Sequence, residues 1–442
     1  SHSSLTLRVT RDPTQIIDMA DTNRTVRLLA GTLLATRIPF YYGWVMLLVA
    51  MMAQITTFPG QTVGVSVFNV SFRESLQLNH GQLTGAYMLG SFLASLPMLL
   101  IGAMMDRFGI RWVMTVVVIF LGGVCILTSQ VNGLVTLFGA FFLLRLLGQG
   151  ALSLLASNTL AMWFHDRLGT ATGIMAFGWA GVTSIGPFLT LLAIKAFEWR
   201  STWCVLGLLV WASMLPLLAF VFRNRPEEIG QHVDGVTKRP DEHVASIEGM
   251  TLRSALRTRA FWIVCAMSAM TGMIGTGILF NVIPLFQAAG RTDFQAIGAI
   301  ALFGICLAVA QLIGGILADR FALHRLLVLG LTGYVIGLGC LVWLHLPGMA
   351  HAFAVAIGSA EGLLQVTSAT LWARYFGRAH LGKIRGSVWM GIVAGSSMGP
   401  FVMGITYDHF GRYDSILWLF MAVAFVLIVA MKFATTPRNR IE

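Results

Sequence analysis

Two ionisable side chains sit deep inside long apolar runs: Arg145 within residues 134–163 and Glu361 within residues 353–373. A lone charge at the centre of a membrane helix costs about 2.5–3.5 kcal/mol on insertion scales, so each must face a watery path or a partner. A carboxylate held in such a place has its proton affinity raised toward the working range and can load and release a proton. The other reading of Glu361 is a structural carboxylate bonded to Gln365, one turn further on. A guanidinium stays charged and offers a bidentate fork, which suits Arg145 to attracting or orienting an anionic group. Its other reading is an arginine that satisfies helix carbonyls. Six further polar side chains interrupt apolar spans and are candidates to line a substrate path: Gln54, Gln61, Asn158, Asn281, Gln311 and Gln365. Gln54 and Gln61 are seven apart and share a helix face.

Other chemistry finds little support. The segment from Gly377 to Lys383 has the GxxxxGK spacing of a phosphate loop, but Ile384 stands where a magnesium-binding Ser or Thr belongs and no strand precedes it. Nucleotide is therefore not expected as a partner, and energy must come from a gradient. His345 with His351, and Asp408 with His409, form no recognisable metal set, and no GxSxG elbow is present. The chain reads as a non-enzyme without cofactor or metal.

The elements that must position these residues are written twice. Gly102-Ala-Met-Met-Asp106-Arg107-Phe108 recurs as Gly315-Ile-Leu-Ala-Asp319-Arg320-Phe321, an offset of 213 residues, and each copy closes an apolar run. The same offset relates Gly85 to Gly298, Gly169 to Gly382, Gly173 to Gly386, Gly178 to Gly391, and Gly186-Pro187 to Gly399-Pro400. Two related halves in one membrane chain are the plan of a transporter whose midplane site is exposed to either side by rocking one half on the other. The duplicated Asp106-Arg107 and Asp319-Arg320, with Arg111, are read as gating residues that latch one side. The charges at the two mid-span positions are not duplicated: Arg145 aligns near Ile357, and Glu361 near Gln149.

At 442 residues, 56% hydrophobic and 11% charged, the chain is too apolar for a soluble domain, whose charged share is about 25%. Twelve apolar stretches are long enough to span: 42–68, 82–105, 112–130, 134–163, 168–196, 201–222, 260–287, 294–318, 326–345, 353–373, 387–407 and 415–433. Each approaches the roughly 20 residues a spanning helix needs. The expected fold class is an all-α membrane protein, two pseudo-symmetric six-helix bundles at 41–222 and 260–433. Residues 1–40, the linker 223–259 and the tail 434–442 would be cytoplasmic, because that side would hold 24 of the 30 Lys and Arg and the other side five. The net charge of +11 is spread over short loops and reads as a topology signal and as contacts to membrane lipid, with no nucleic acid as partner. The five cysteines lie singly in apolar runs and read as small buried residues. No cleavable signal peptide is read in the first 37 residues, so the first span is expected to direct insertion. Pro59-Gly60 and Pro284 lead us to expect interruptions in the first and seventh spans.

With these motifs placed, residues 41–431 resemble the major facilitator superfamily. Its loop signature GxxxDRxGxR is complete as Gly102, Asp106, Arg107, Gly109 and Arg111, and Arg145 with Gly148 and Gly150 looks like the family's fourth-helix motif, which implies proton coupling. Gly186-Pro187 is similar to part of the fifth-helix antiporter motif. Tyr41-Tyr42-Gly43-Trp44 and Arg225-Pro226-Glu227-Glu228-Ile229-Gly230 look like bacterial monocarboxylate and oxalate/formate-type carriers. The resemblance implies alternating access, a small carboxylate and protons as partners, and the bacterial inner membrane. Those carriers place an arginine in the eighth helix where this chain has Gln311, so a carboxylate falls to Arg145 or to helix dipoles, or the ligand is neutral, amphipathic or cationic. The alternatives are a proton-driven exporter or importer of drug-like or siderophore-like compounds, and a transport-dead membrane sensor on the same fold.

Overall fold

The computed structural model describes residues 40–235 and 249–434; the expectations for residues 1–39, for the linker stretch 236–248 and for 435–442 fall outside them. Ten helices among the described residues are long and apolar enough to cross a membrane. A bent pair at 81–108 adds an eleventh, and one 54-residue run, 168–221, is two spans joined at Glu198, so the total is twelve. Glu198 (φ 64°, ψ 161°) adopts a backbone conformation that residues other than glycine rarely take, and it reverses the chain with no loop.

The first half comprises α1 (Gly43–Ser66), α2 (Gly81–Ser95 and Met98–Phe108, bent by 40°), α3 (Ile110–Thr128), α4 (Leu134–Trp163), α5 (168–197) and α6 (199–221). The second comprises α7 (Arg259–Ala288), α8 (Asp293–Arg320), α9 (Leu323–Val342), α10 (Met349–Phe376), α11 (Leu381–Phe410) and α12 (Asp414–Met431). Large apolar side chains such as Phe120, Leu127, Phe188, Phe425 and Val426 are exposed, as suits a protein whose outer surface meets lipid. Helices in lipid associate by close packing of small residues, since burying apolar surface there brings no gain over the acyl chains.

The two predicted breaks resolve differently. α1 is interrupted: Gly43–Thr56 ends, a 3₁₀ turn covers Phe58–Gly60, and Thr62–Ser66 resumes. Pro59 contributes no N–H, and Gly60 lets the turn lie on α4, where a Cβ would stand 2.7 Å from the Cα of Gly148. By contrast α7 runs unbroken through Pro284, whose missing N–H lies within its last turns. α11 starts at Leu381, six residues before the apolar run suggests, and so carries Lys383 and Arg385 inside the helix.

The halves meet along two related seams, α2 with α11 and α5 with α8. Each is closed by glycine against glycine. A Cβ on Gly102 would collide with the backbone of Gly382, and one on Gly169 with the backbone of Gly315. These contacts lie at the ends of α2 and α8 that carry the repeated loop motif, called here the motif side. Toward the opposite ends of the same helices, a Cβ added at Gly85 or Gly298 would meet nothing within 4 Å. The motif side is closed.

A methyl added at Gly386 would stand 2.7 Å from the Met98 carbonyl oxygen, so Gly386→Ala should overpack this seam at a cost of about 1–3 kcal/mol and raise maleimide labelling of a cysteine at Leu99 from the motif side about fivefold or more. Unchanged labelling would show that glycine against glycine does not hold the halves closed.

Candidate functional site

Three constellations occupy the region between and beneath the halves. The first is built on the break in α1. Opposite it, residues Arg145–Leu152 of α4 form a π-helix, a local widening found often at functional sites because it leaves carbonyls and side chains out of the regular ladder. Arg145 opens this segment and is 3% exposed. Its Nη1 donates to Gly60 O at 3.4 Å and Thr62 Oγ1 at 3.2 Å, both on the broken stretch of α1, and its guanidinium lies 5.1 Å from the centre of the Tyr87 ring. Tyr87 in turn donates to Thr62 Oγ1 at 2.9 Å. Arg145 Nε is buried without a partner. Gln54 and Gln61, half-buried, lie on opposite sides of the break in α1, so no continuous helix face joins them as their spacing suggests; both nevertheless donate to Ser153 Oγ of α4 at 3.4 Å, just past the π-helix.

The second constellation is a relay in the other half. Glu361 on α10 accepts hydrogen bonds from Tyr334 Oη of α9 and from Gln365 Nε2, the latter at 2.7 Å. Gln365 Oε1 then accepts from Gln311 Nε2 of α8 at 2.9 Å. The carboxylate sets the direction of this chain: an ionised Glu361 only accepts, so Gln365 must donate to it and offer its oxygen to Gln311. Gln311 Oε1 is left buried without a partner. It presents an acceptor and repels an anion, which is the opposite of what an arginine at that place would do. Gly275 of α7 faces the carboxylate, where a Cβ would stand 3.7 Å from Oε2. Asn281 on α7 donates to Gly277 O of its own helix at 2.9 Å.

Neither mid-span charge has an opposite charge within 4.0 Å among the described residues. Glu361, Gln54 and Gln61 are half-buried and Gln365 is exposed, all in mid-span. Polar groups cannot be exposed to hydrocarbon without a large penalty, so they face the space between helices.

The third constellation holds the motif side shut. Asp106 on α2 accepts from the backbone N–H groups of Gly382 (2.8 Å) and Lys383 (2.9 Å) in the first turn of α11. Asp319 on α8 accepts from Gly169 and Thr170, both at 2.7 Å, in the first turn of α5. All four bonds cross between the halves, and the residue numbers differ by 213 at every position. The first N–H groups of a helix have no partner within it and carry its positive dipole end, so a carboxylate there makes charge-assisted bonds. Arg107 and Arg320, the partners named by the motif, are exposed, Arg107 lying 5.2 Å from the centre of the Phe108 ring. Arg111 instead ties α3 to the end of α6, donating to Leu218 O (2.8 Å) and Ala219 O (2.5 Å).

Three participants escaped the sequence reading. Arg374 donates to Asp319 Oδ1 (2.9 Å) and to the carbonyls of Ala318, His165 and Asp166, an addition that the Asp106 seam lacks. Tyr334 looks like any apolar-run tyrosine until α9 brings it to Glu361. Arg385 precedes the apolar run at 387–407; it is 5% exposed on α11 and donates from Nη1 to Asn158 Oδ1 of α4 at 3.1 Å. Asn158 is thereby placed in the contact between halves, with its Nδ2 3.4 Å from Met105 Sδ. The available signal was the offset of 213, which maps Leu168, the first residue of α5, onto Leu381.

The unequal latches carry a prediction. Asp319 accepts from two N–H groups, the Thr170 hydroxyl and Arg374, and Asp106 from two N–H groups. Bonds to a charged group contribute about 1.5–3 kcal/mol each, so Asp319→Asn should lower the melting temperature in detergent about twice as far as Asp106→Asn. Equal losses would count against the asymmetry.

Comparison with known proteins agrees with this architecture. The profile of the Major Facilitator Superfamily matches residues 33–299 and 289–442. The chain is 23% identical over 356 residues to the MFS-type transporter YhjX of Escherichia coli, covering 80% of this chain and 85% of that one. It is 24% identical to the probable sulfoacetate transporter SauU of Cupriavidus necator, covering 80% and 84%. The crystal structure of a double-tryptophan mutant of XylE superposes with a TM-score of 0.70 at 15% identity over 90% of this chain and 97% of that one. Twelve spans in two related halves, latched by a repeated loop motif, and a profile that matches nearly the whole length together show that the chain belongs to the Major Facilitator Superfamily, a family of membrane transporters.

Proposed function

We propose that the protein is a proton-coupled secondary transporter that moves a small organic anion, a monocarboxylate or a related acid, by alternating access. The observation that carries this reading is Glu361: a half-buried mid-span carboxylate that, among the described residues, is bonded by neutral donors alone and faces no cation within 4.0 Å. Such a group takes a proton when water reaches it and releases it when the path changes sides. Arg145, across the divide with a spare buried donor at Nε, supplies the fixed positive charge for the anion. The likeness to a probable sulfoacetate transporter supports an anionic cargo.

Protonation also provides a route to the gate. Once protonated, Glu361 becomes a donor, so the direction of its bonds with Tyr334 and Gln365 can reverse, and Gln311 must answer. Gln311 lies on the seam: its backbone oxygen would be 2.7 Å from a Cβ on Gly173 of α5. The proton is thus read at the contact that must slide for the motif side to open. We read that side, with both termini, as cytoplasmic, since 24 of the 30 Lys and Arg fall there, and the likeness to bacterial transporters supports an inner membrane.

The test uses the purified full chain in liposomes, with acetate, oxalate and sulfoacetate as labelled probes. At least one should exchange by counterflow and accumulate when the opposite side is acidified. Glu361→Gln should keep the exchange and lose about tenfold or more of the gradient-driven accumulation, and Arg145→Lys should weaken affinity about tenfold through loss of the fork. Accumulation by Glu361→Gln at the wild-type level would sink the coupling role. Proton-driven flux of a siderophore or a cationic dye in place of the acids would replace the cargo by the exporter reading.

A further inference from the structure

Arg385 is a buried cation that neither the latch nor the relay uses. It sits about 6 Å inside the start of α11, at the contact between halves, and its one hydrogen-bond partner among the described residues is the neutral amide of Asn158. Among the described residues no carboxylate lies within 4.0 Å of it. The related seam closes without such a charge: the pseudo-equivalent of Arg385 is Thr172, whose hydroxyl bonds Leu168 O of its own helix, and that of Asn158 is Leu371. Packing therefore does not require a guanidinium here. An uncompensated buried charge weighs against the closed state, because its lost hydration is not repaid by an opposite charge.

We infer that Arg385 is a second anion-receiving cation, uncovered when the halves part on the motif side, and that the departing organic anion pauses there; this rests on the reading of the cargo as an anion. Parting removes two covers at once. Asn158 leaves with the first half, and so does Asp106, whose carboxylate caps Gly382 N and Lys383 N. What remains on α11 is a helix N-terminus with two free N–H groups and, one turn further on, a bared guanidinium. A carboxylate already occupies part of this place in the closed state, and a carboxylate or sulfonate from the path can succeed it. Arg145 and Arg385 are then successive stations on the two halves, the first near mid-span and the second at the motif-side exit.

The charge can be read without knowing the cargo. A cysteine placed at Asn158 in the full chain carrying Asp319→Asn, which loosens the latch, is labelled from the motif side with anionic sulfonatoethyl methanethiosulfonate and with cationic trimethylammonioethyl methanethiosulfonate. The wild-type chain with its five native cysteines supplies the background. We expect the anionic-to-cationic rate ratio to fall about tenfold on adding Arg385→Gln, since a single fixed cation concentrates one sign of reagent. A ratio that does not change overturns the proposal, and Met105→Cys offers the same comparison if Asn158→Cys does not fold. For any probe acid that exchanges, Arg385→Gln should weaken affinity from the motif side about tenfold and leave the opposite side unchanged. Equal losses on both sides would make Arg385 part of the latch alone and defeat the proposal. If none of the acids is moved, the cargo reading fails while the labelling ratio still decides this one.

Discussion

Two carboxylates, Asp106 and Asp319, each accept the first backbone N–H groups of a helix in the opposite half. Those N–H groups lack partners within their own helix, and a dipole adds positive potential, so the bonds are strong while they last. Water can replace them when the halves separate, which makes the contact reversible. Such a reach between halves also requires the backbones to come very close, and this is why glycine faces glycine at 102 with 382 and at 169 with 315. Closure on the motif side, the position of Gln311 beside Gly173, and the burial of Arg385 all follow from that approach.

Symmetry is obeyed by the parts that hold and move, and it is broken by the parts that select. Arg145 stands on α4 among residues of a broken α1; Glu361 stands on α10 in a relay with Tyr334, Gln365 and Gln311. Among the described residues each charge lacks an opposite charge within 4.0 Å, an arrangement that is costly inside a membrane. The unequal dressing of the two latches by Arg374 adds a second asymmetry, so that two seams built on one plan need not open with equal ease.

The broken α1 and the π-helix of α4 act as one unit. Gly60 against Gly148 brings the turn onto the widened helix, and the carbonyl of Gly60 and the hydroxyl of Thr62 then receive the guanidinium. α7, the counterpart of α1, keeps its helix through Pro284. A proline late in a helix forfeits one bond; a proline beside a glycine that is drawn onto a neighbour ends the helix.

Much of the fold is legible from residues alone, because the hydrocarbon core imposes a length and a composition on every span and because duplication repeats Gly, Asp and Pro at one offset. Twelve spans, two halves, and the pairing of Asp106 with Asp319 as equivalents follow from that, and Arg145 and Glu361 stand out because charges within apolar runs are rare. What each charge touches depends on which helices become neighbours. That Asp106 caps α11 rather than pairing with Arg107, that Tyr334 and Gln311 join Glu361, and that Arg385 is buried against Asn158 are contacts between residues 27 to 277 positions apart. Composition and periodicity describe a residue's own helix and the solvent that helix prefers. Packing between helices decides the partners, and here partners separate a surface charge from a gate and a buried arginine from a binding site.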